Sequence, residues 1–250
     1  MKTRAVNLDI PHRELLPLKV NKCKQKEYES NITHLLHYCV ILTLVAWKRG
    51  NGNFCWHLDG YDKLKPFGFS IHGGIDGFSQ KILWLEVQRS NKNPKVIAKY
   101  FLGYIEVAKG CPARVYNDLG TENGLVAGIQ CYLRADGFDQ YSGTNAHKYV
   151  PSTSNQRIEC FWSSYRKQRS SWWIDFFNDL YESDILDLAS EIHREALWFC
   201  FSDLLQSDLD KVKEYWNSHR IRKSKHATFS GVPDVVYFLP EDYGQTDCLQ

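Results

Sequence analysis

The chain spreads 29 Asp and Glu residues over 250 positions, so a trio of carboxylates means something only where the fold must gather it. Asp59 follows the apolar run Phe54-Cys55-Trp56-His57-Leu58, and Asp118 follows Ala113-Arg114-Val115-Tyr116-Asn117. Both runs read as short strands, and carboxylates at the ends of neighbouring strands stand side by side. Glu159 lies in a stretch with helical apolar spacing, about Thr153 to Arg169, that can pack beside those ends. Carboxylates gathered in this way repel one another unless a cation neutralises them. Oxygen ligands suit Mg²⁺ or Mn²⁺, which keep several waters and bind phosphate oxygens. Two such ions about 3.5–4 Å apart activate an attacking oxygen and stabilise a leaving one in phosphodiester displacement. Metal-assisted phosphoryl transfer is therefore the chemistry on offer. Taken singly, each residue has a plainer use: an Asp at a strand end is usually a turn former or a helix cap. Glu159 alone is an ordinary surface residue.

The elements that must position these groups follow from the chain's punctuation. Gly50-Asn51-Gly52-Asn53 is a turn signal and marks a boundary. Beyond it, Phe54 to Leu58, Phe67 to Asp76 and Ile82 to Val87 read as strands, the last two forming a hairpin about Gly77-Phe78-Ser79-Gln80. Asn93-Pro94 opens a helix whose apolar face is Val96, Ile97, Tyr100, Phe101 and Tyr104, and Lys109-Gly110 closes it. A strand at Ala113 to Tyr116, a polar loop at 117–124, a helix at Leu125 to Leu133 and a strand at His147 to Val150 follow. Helical patterns at 174–182, 184–206 and 208–219 complete the series. This order predicts an α/β fold with a mixed sheet. It divides the chain into an N-terminal extension at 1–50, a core at 51–206 and a helical, basic tail at 207–250.

Bulk composition narrows the partners. Lys and Arg number 31, for a formal charge of +2, so any nucleic-acid contact must come from local patches rather than a general basic coat. The eight cysteines are scattered without a C-x-x-C pair, which argues against a disulfide framework and a zinc ribbon and for reduced thiols in an intracellular protein. The apolar run Ile32 to Trp47 is short for a membrane span and has no small-residue cleavage site after it. It is read as a buried helix or strand, or as part of the extension, and no membrane contact is expected.

The stretch opening at Trp56-His57-Leu58-Asp59-Gly60-Tyr61-Asp62-Lys63-Leu64 resembles the integrase core domain of retroviral integrases and related transposases, with particular likeness to integrase-core-domain proteins of fish and invertebrate genomes. Four blocks carry the resemblance over about residues 53–243: WHLDGYDKLKPFGFSIHGGIDGFSQKILWLEV, RVYNDLGTENG, NQRIECFWSSYRKQRSSWW, and WNSHRIR followed by GVPDVVYFLPE. It implies an RNase H-like, mixed five-stranded sheet flanked by helices, with a helical C-terminal extension. It puts the acidic triad on Asp59, Asp118 and Glu159, holding Mg²⁺ or Mn²⁺, with Asp62 and Glu122 as nearby competitors. The implied activity is hydrolysis at DNA 3′ ends followed by attack of the 3′-hydroxyl on target DNA, in a protein that self-associates. The leading reading is such a strand-transfer enzyme or the host-retained descendant of one; a catalytically idle DNA- or protein-binding module and a plain nuclease are the readings that compete.

On the helix bearing Glu159, the residues expected to contact DNA are Gln156, Arg157, Ser163, Arg166 and Lys167. Phe161, Trp162, Tyr165 and the Trp172-Trp173 pair are expected mostly in the core. Two family features are not recognisable. His34, His37 and Cys39 lack the spacing of the zinc-binding domain that precedes retroviral cores, so no structural zinc is assigned. Nor does a helix-turn-helix stand in 1–50. The basic residues between Arg220 and His226 form a phosphate-binding patch or a weak nuclear import signal.

Overall fold

The computed structural model describes residues 54–222, 230–243 and 249. The extension at 1–50, with Ile32 to Trp47 and His34, His37 and Cys39, lies outside the described residues, as do Lys223, Lys225 and His226.

Five strands form one mixed sheet in the order β3-β2-β1-β4-β5. The central strand β1 (Cys55–Tyr61) runs antiparallel to β2 (Ser70–Asp76), which pairs antiparallel with β3 (Ile82–Gln88). On its other side β1 pairs parallel with β4 (Arg114–Asn117), and β4 parallel with β5 (His147–Tyr149). Asp76 closes the β2–β3 turn, its Oδ2 accepting from the Ser79 amide and hydroxyl, each at 2.7 Å. The parallel pair needs a crossover, and α1 (Pro94–Ala108) supplies it. The Asn93 side chain accepts from the Lys95 amide, Pro94 sits in the first turn, and Lys109 ends the helix in the left-handed conformation.

Helices cover both faces. Trp56 of β1 meets Phe101 and Tyr104 of α1 on one face. On the other, Ile71, Ile75 and Leu85 join a core with Ile158, Phe161, Trp162 and Tyr165 of α3 (Gln156–Tyr165). The same core takes Trp173 and Phe177 of α4 (Ser171–Glu182) and Leu205 and Leu209 of α5 (Glu191–Ser218). Between α1 and α3 lies α2 (Gly124–Leu133), and a short α6 (Pro233–Phe238) follows α5.

Several boundaries differ from expectation. The strand expected to stop at Leu58 runs on through Gly60 to Tyr61, and Phe67, expected to open β2, instead ends a 3-10 turn at Lys65–Phe67, with β2 starting at Ser70. The helix expected over 153–169 begins at Gln156, widens into a π-helical turn at Arg166–Ser170 and continues directly as α4. Two expected helices, 184–206 and 208–219, are the single 28-residue α5, which crosses the position taken as the border between core and tail. Its amides serve the sheet edge. Asn217 Oδ1 accepts from the Ile82 amide at 2.8 Å and its Nδ2 donates to the Ile82 carbonyl at 2.9 Å. Gln206 does the same for Val87 and Leu85, at 2.9 and 3.0 Å. A strand edge that would otherwise present open backbone groups is closed by side chains.

Candidate active site

Strand register brings the first two carboxylates together. The parallel β1–β4 pairing ends at His57 and Tyr116, whose rings lie 5.1 Å apart on one face. Side chains alternate with period two, so Asp59 and Asp118, two residues further along each chain, leave the sheet on that same face. Asp59 is therefore a mid-strand residue, not a strand end: what ends beside it is β4. Across the antiparallel pair it faces Gly73.

The third carboxylate is placed by a buried amide. Asn155 is 1% exposed at the head of α3. Its Oδ1 accepts from His57 Nδ1 at 2.7 Å and its Nδ2 donates to the Leu58 carbonyl at 3.0 Å. Its own carbonyl takes the Glu159 amide at 3.3 Å. The first turn of α3 is thus tied to β1 just before Asp59, and Glu159 hangs one turn further on. Burial, against the Asn155 hydrogen bond, pushes His57 down to about 4 and keeps it neutral. Asp118 has its own clip, Asn123 Nδ2 donating to Oδ1 at 2.7 Å. Asp59 has Trp162, whose indole Nε1 donates to Oδ2 at 2.9 Å.

Asp59, Asp118, Glu159 and Trp162 line one cleft of about 570 Å³ together with Ser163, Arg166 and Lys167. Burial first, then the charges of Glu159 and Asp118, push Asp59 up to about 7. Glu159 is raised by burial and by Asp118. Among the described residues no three His, Cys, Asp or Glu side chains are already close enough to hold a metal ion. The donors nevertheless fit a hard divalent cation: they are all carboxylate oxygens, and they carry an uncompensated repulsion that such an ion relieves.

The expected DNA contacts divide. Ser163, Arg166 and Lys167 reach the cleft, whereas Gln156 and Arg157 do not. Gln156 is exposed three residues before Glu159, about 4.5 Å back along the axis. Arg157 points around the helix, where its charge is felt by His57 and Asp76. Ser170, at the end of the same run of helix, is buried and its Oγ lies 2.5 Å from the Tyr61 hydroxyl. The wider π turn shifts the helical face by one residue, turning Ser170 inward. Of the competing acids, Asp62 is held by Lys65 at 2.8 Å and Asn91 at 3.0 Å. Glu122 folds its carboxylate back over Gly120, where a Cβ would collide with it.

Sequence reasoning missed Asn155, Asn123, Gly73 and the polar role of Trp162. The signal was faint. Asn is a common residue at helix starts and turns, and Trp162 is indeed in the core, 4% exposed, while its N–H serves the site.

A mixed five-stranded sheet with two acids at adjoining strands and a third on the covering helix defines an RNase H-like core. The family model of the integrase core domain matches residues 47–234, and the chain belongs to that family. No curated protein matches the chain.

Proposed function

We propose that the chain is a metal-dependent polynucleotidyl transferase that cuts DNA phosphodiesters and joins the resulting 3′ ends to target DNA. The observation that carries this reading is the register that sets Asp59 beside Asp118, with Glu159 hung over them in one cleft. In it, Asp59, Asp118 and Glu159 would hold Mg²⁺ or Mn²⁺, and the bound ion would supply Lewis-acid activation of the attacking oxygen and charge stabilisation of the departing one. Arg166 and Lys167 take phosphate oxygens at the rim, a contact that gives affinity without sequence readout. Ser163 offers a hydroxyl between them and Glu159. Trp162 keeps the Asp59 carboxylate turned to the cleft. Self-association, a nuclear location and descent from a transposable element of the kind found in fish and invertebrate genomes belong to the same proposal.

Two other readings use the same cleft: a catalytically idle DNA- or protein-binding module that keeps the fold, and a plain nuclease. Incubating the full chain with Mg²⁺ or Mn²⁺ and end-labelled duplex DNA separates the cases. Joined products support strand transfer, cut products alone a nuclease, and bound but intact DNA the idle module. Asp118→Asn is expected to abolish cutting and joining; unchanged activity in that variant would remove the triad from the reaction.

A further inference from the structure

A smaller chamber of about 110 Å³ lies against the same two aspartates and is not lined by Glu159. Its walls are Asp59, Asp118, Asp62 and Glu122, with Asn91, Asn123, Gly60 and one imidazole, His72. His72 is 2% exposed, on β2 opposite Gly60. Its ring is nearly coplanar with Trp84, at 10° between planes, and stacks on Tyr100 from the α1 side. Trp84 Nε1 donates to His72 Nδ1 at 3.1 Å. That bond requires Nδ1 to be unprotonated, so the proton of the neutral ring sits on Nε2. Among the described residues Nε2 has no hydrogen-bond partner. A protonated Nε2 cannot ligate a metal, but it is a fixed donor at a wall of carboxylates.

Acceptors are at hand. Asp118 receives Asn123 on Oδ1 only, and no described residue donates to its other oxygen. The chamber is polar and large enough for several waters, and a buried water needs two to four polar partners. We infer that His72 is a positioning residue for the Asp59–Asp118 pair: its Nε2–H holds an ordered water that hydrogen-bonds these carboxylates from the side away from Glu159. The water opposes rotation of the two carboxylates out of the cleft. A bare Gly60 keeps the wall open, since a Cβ there would stand 2.7 Å from Asn91 Nδ2. The consequence for metal affinity rests on the metal-binding reading above; the hydrogen bond itself does not.

Two measurements on the full chain test it. In ¹H–¹⁵N spectra of the imidazoles, His72 is expected as the Nε2–H form with a slowly exchanging proton. That signal moves in Asp118→Asn and stays in Glu159→Gln, because, of these two residues, Asp118 alone lines the chamber. An Nε2–H that exchanges as fast as an exposed histidine's, or that ignores Asp118→Asn, overturns the proposal. In calorimetric titration with Mg²⁺, His72→Phe is expected to bind about tenfold more weakly, the usual effect of losing a partner behind a ligand. His72→Gln, whose amide can accept from Trp84 and still donate into the chamber, restores most of the affinity. A role confined to packing lowers the melting temperature of both variants and leaves Mg²⁺ affinity unchanged. If the unmodified chain binds no Mg²⁺, the metal reading fails while the spectra still decide the hydrogen bond; the spectra also decide should His72→Phe not fold.

Discussion

Trp162 and Asp59 meet across the interface of helix and sheet: the indole N–H of one reaches Oδ2 of the other at 2.9 Å, passing over Gly73. The same ring belongs to the core, against Tyr61, Phe161 and Tyr165. Packing and the orientation of a site carboxylate are therefore one structural fact. Trp162→Phe keeps an aromatic ring and loses the donor. It is expected to lower stability by about 1–3 kcal/mol, from the lost hydrogen bond and the smaller ring. It also raises the Asp59 pKa further, because the Trp162 bond favours the ionised form. Urea denaturation and ¹³C titration of the Asp59 carboxyl read the two effects separately.

Gly73 is the other half of that arrangement. A Cβ there would stand 2.9 Å from the Trp162 ring and 3.0 Å from Leu85, both inside the core. Neither neighbour is the free end of a flexible chain, so the ring must shift. Gly73→Ala is expected to destabilise by about 1–3 kcal/mol, the range for overpacked cores. DNA cutting should fall further than the stability loss explains, since the shift drags the indole from Asp59. Activity assayed well below the variant's melting temperature makes the comparison.

The raised Asp59 has a signed consequence for pH. A carboxyl with an ordinary unfolded value near 3.8 and a folded value near 7 binds more protons in the folded chain between those limits. Stability without metal is then greatest below about pH 4 for this group and is lost as pH rises through 7. Asp59→Asn removes that slope, by roughly 2–4 kcal/mol over the window. Thermal melts from pH 4 to pH 8 in chelator test it. Mg²⁺ binding at pH 6 should release close to one proton, and at pH 8.5 almost none, which calorimetry in buffers of different ionisation enthalpy detects.

What was legible in the sequence follows from what each signal reports. The runs before Asp59 and Asp118 and the Asn93-Pro94 start of α1 stand out, because apolar period and capping chemistry are local. The continuation of β1 through Gly60 was hidden, since Gly60-Tyr61-Asp62 has the composition of a turn; only pairing with His72 and Ile71 makes it strand. The unity of α5 was hidden by Gln206, whose polar side chain turns to the sheet edge rather than to water. At the site, charged side chains announce themselves, whereas the neutral amides that aim them, Asn123 and Asn155, look like any turn residue. The π turn has no sequence signature, so the inward placement of Ser170 could not be foreseen.

Asn217 gives the most direct test of how the sheet edge is held. Its side chain is 7% exposed and satisfies both backbone groups of Ile82 at once, at 2.8 and 2.9 Å. Asn217→Leu keeps the branched outline, though with bulkier methyl groups, and leaves a buried N–H and a buried carbonyl without partners. Each orphaned group costs about 1–3 kcal/mol, so a loss of roughly 2–5 kcal/mol is expected, large for one substitution on a helix surface. Hydrogen exchange should localise the damage, with the Ile82 amide losing protection while amides of β1 keep theirs. Since no described residue of α5 lines the cleft, Mg²⁺ affinity of the folded variant should match that of the unmodified chain. An Ile82 amide that stays protected in Asn217→Leu would show that the edge is closed by burial beneath α5 rather than by this side chain.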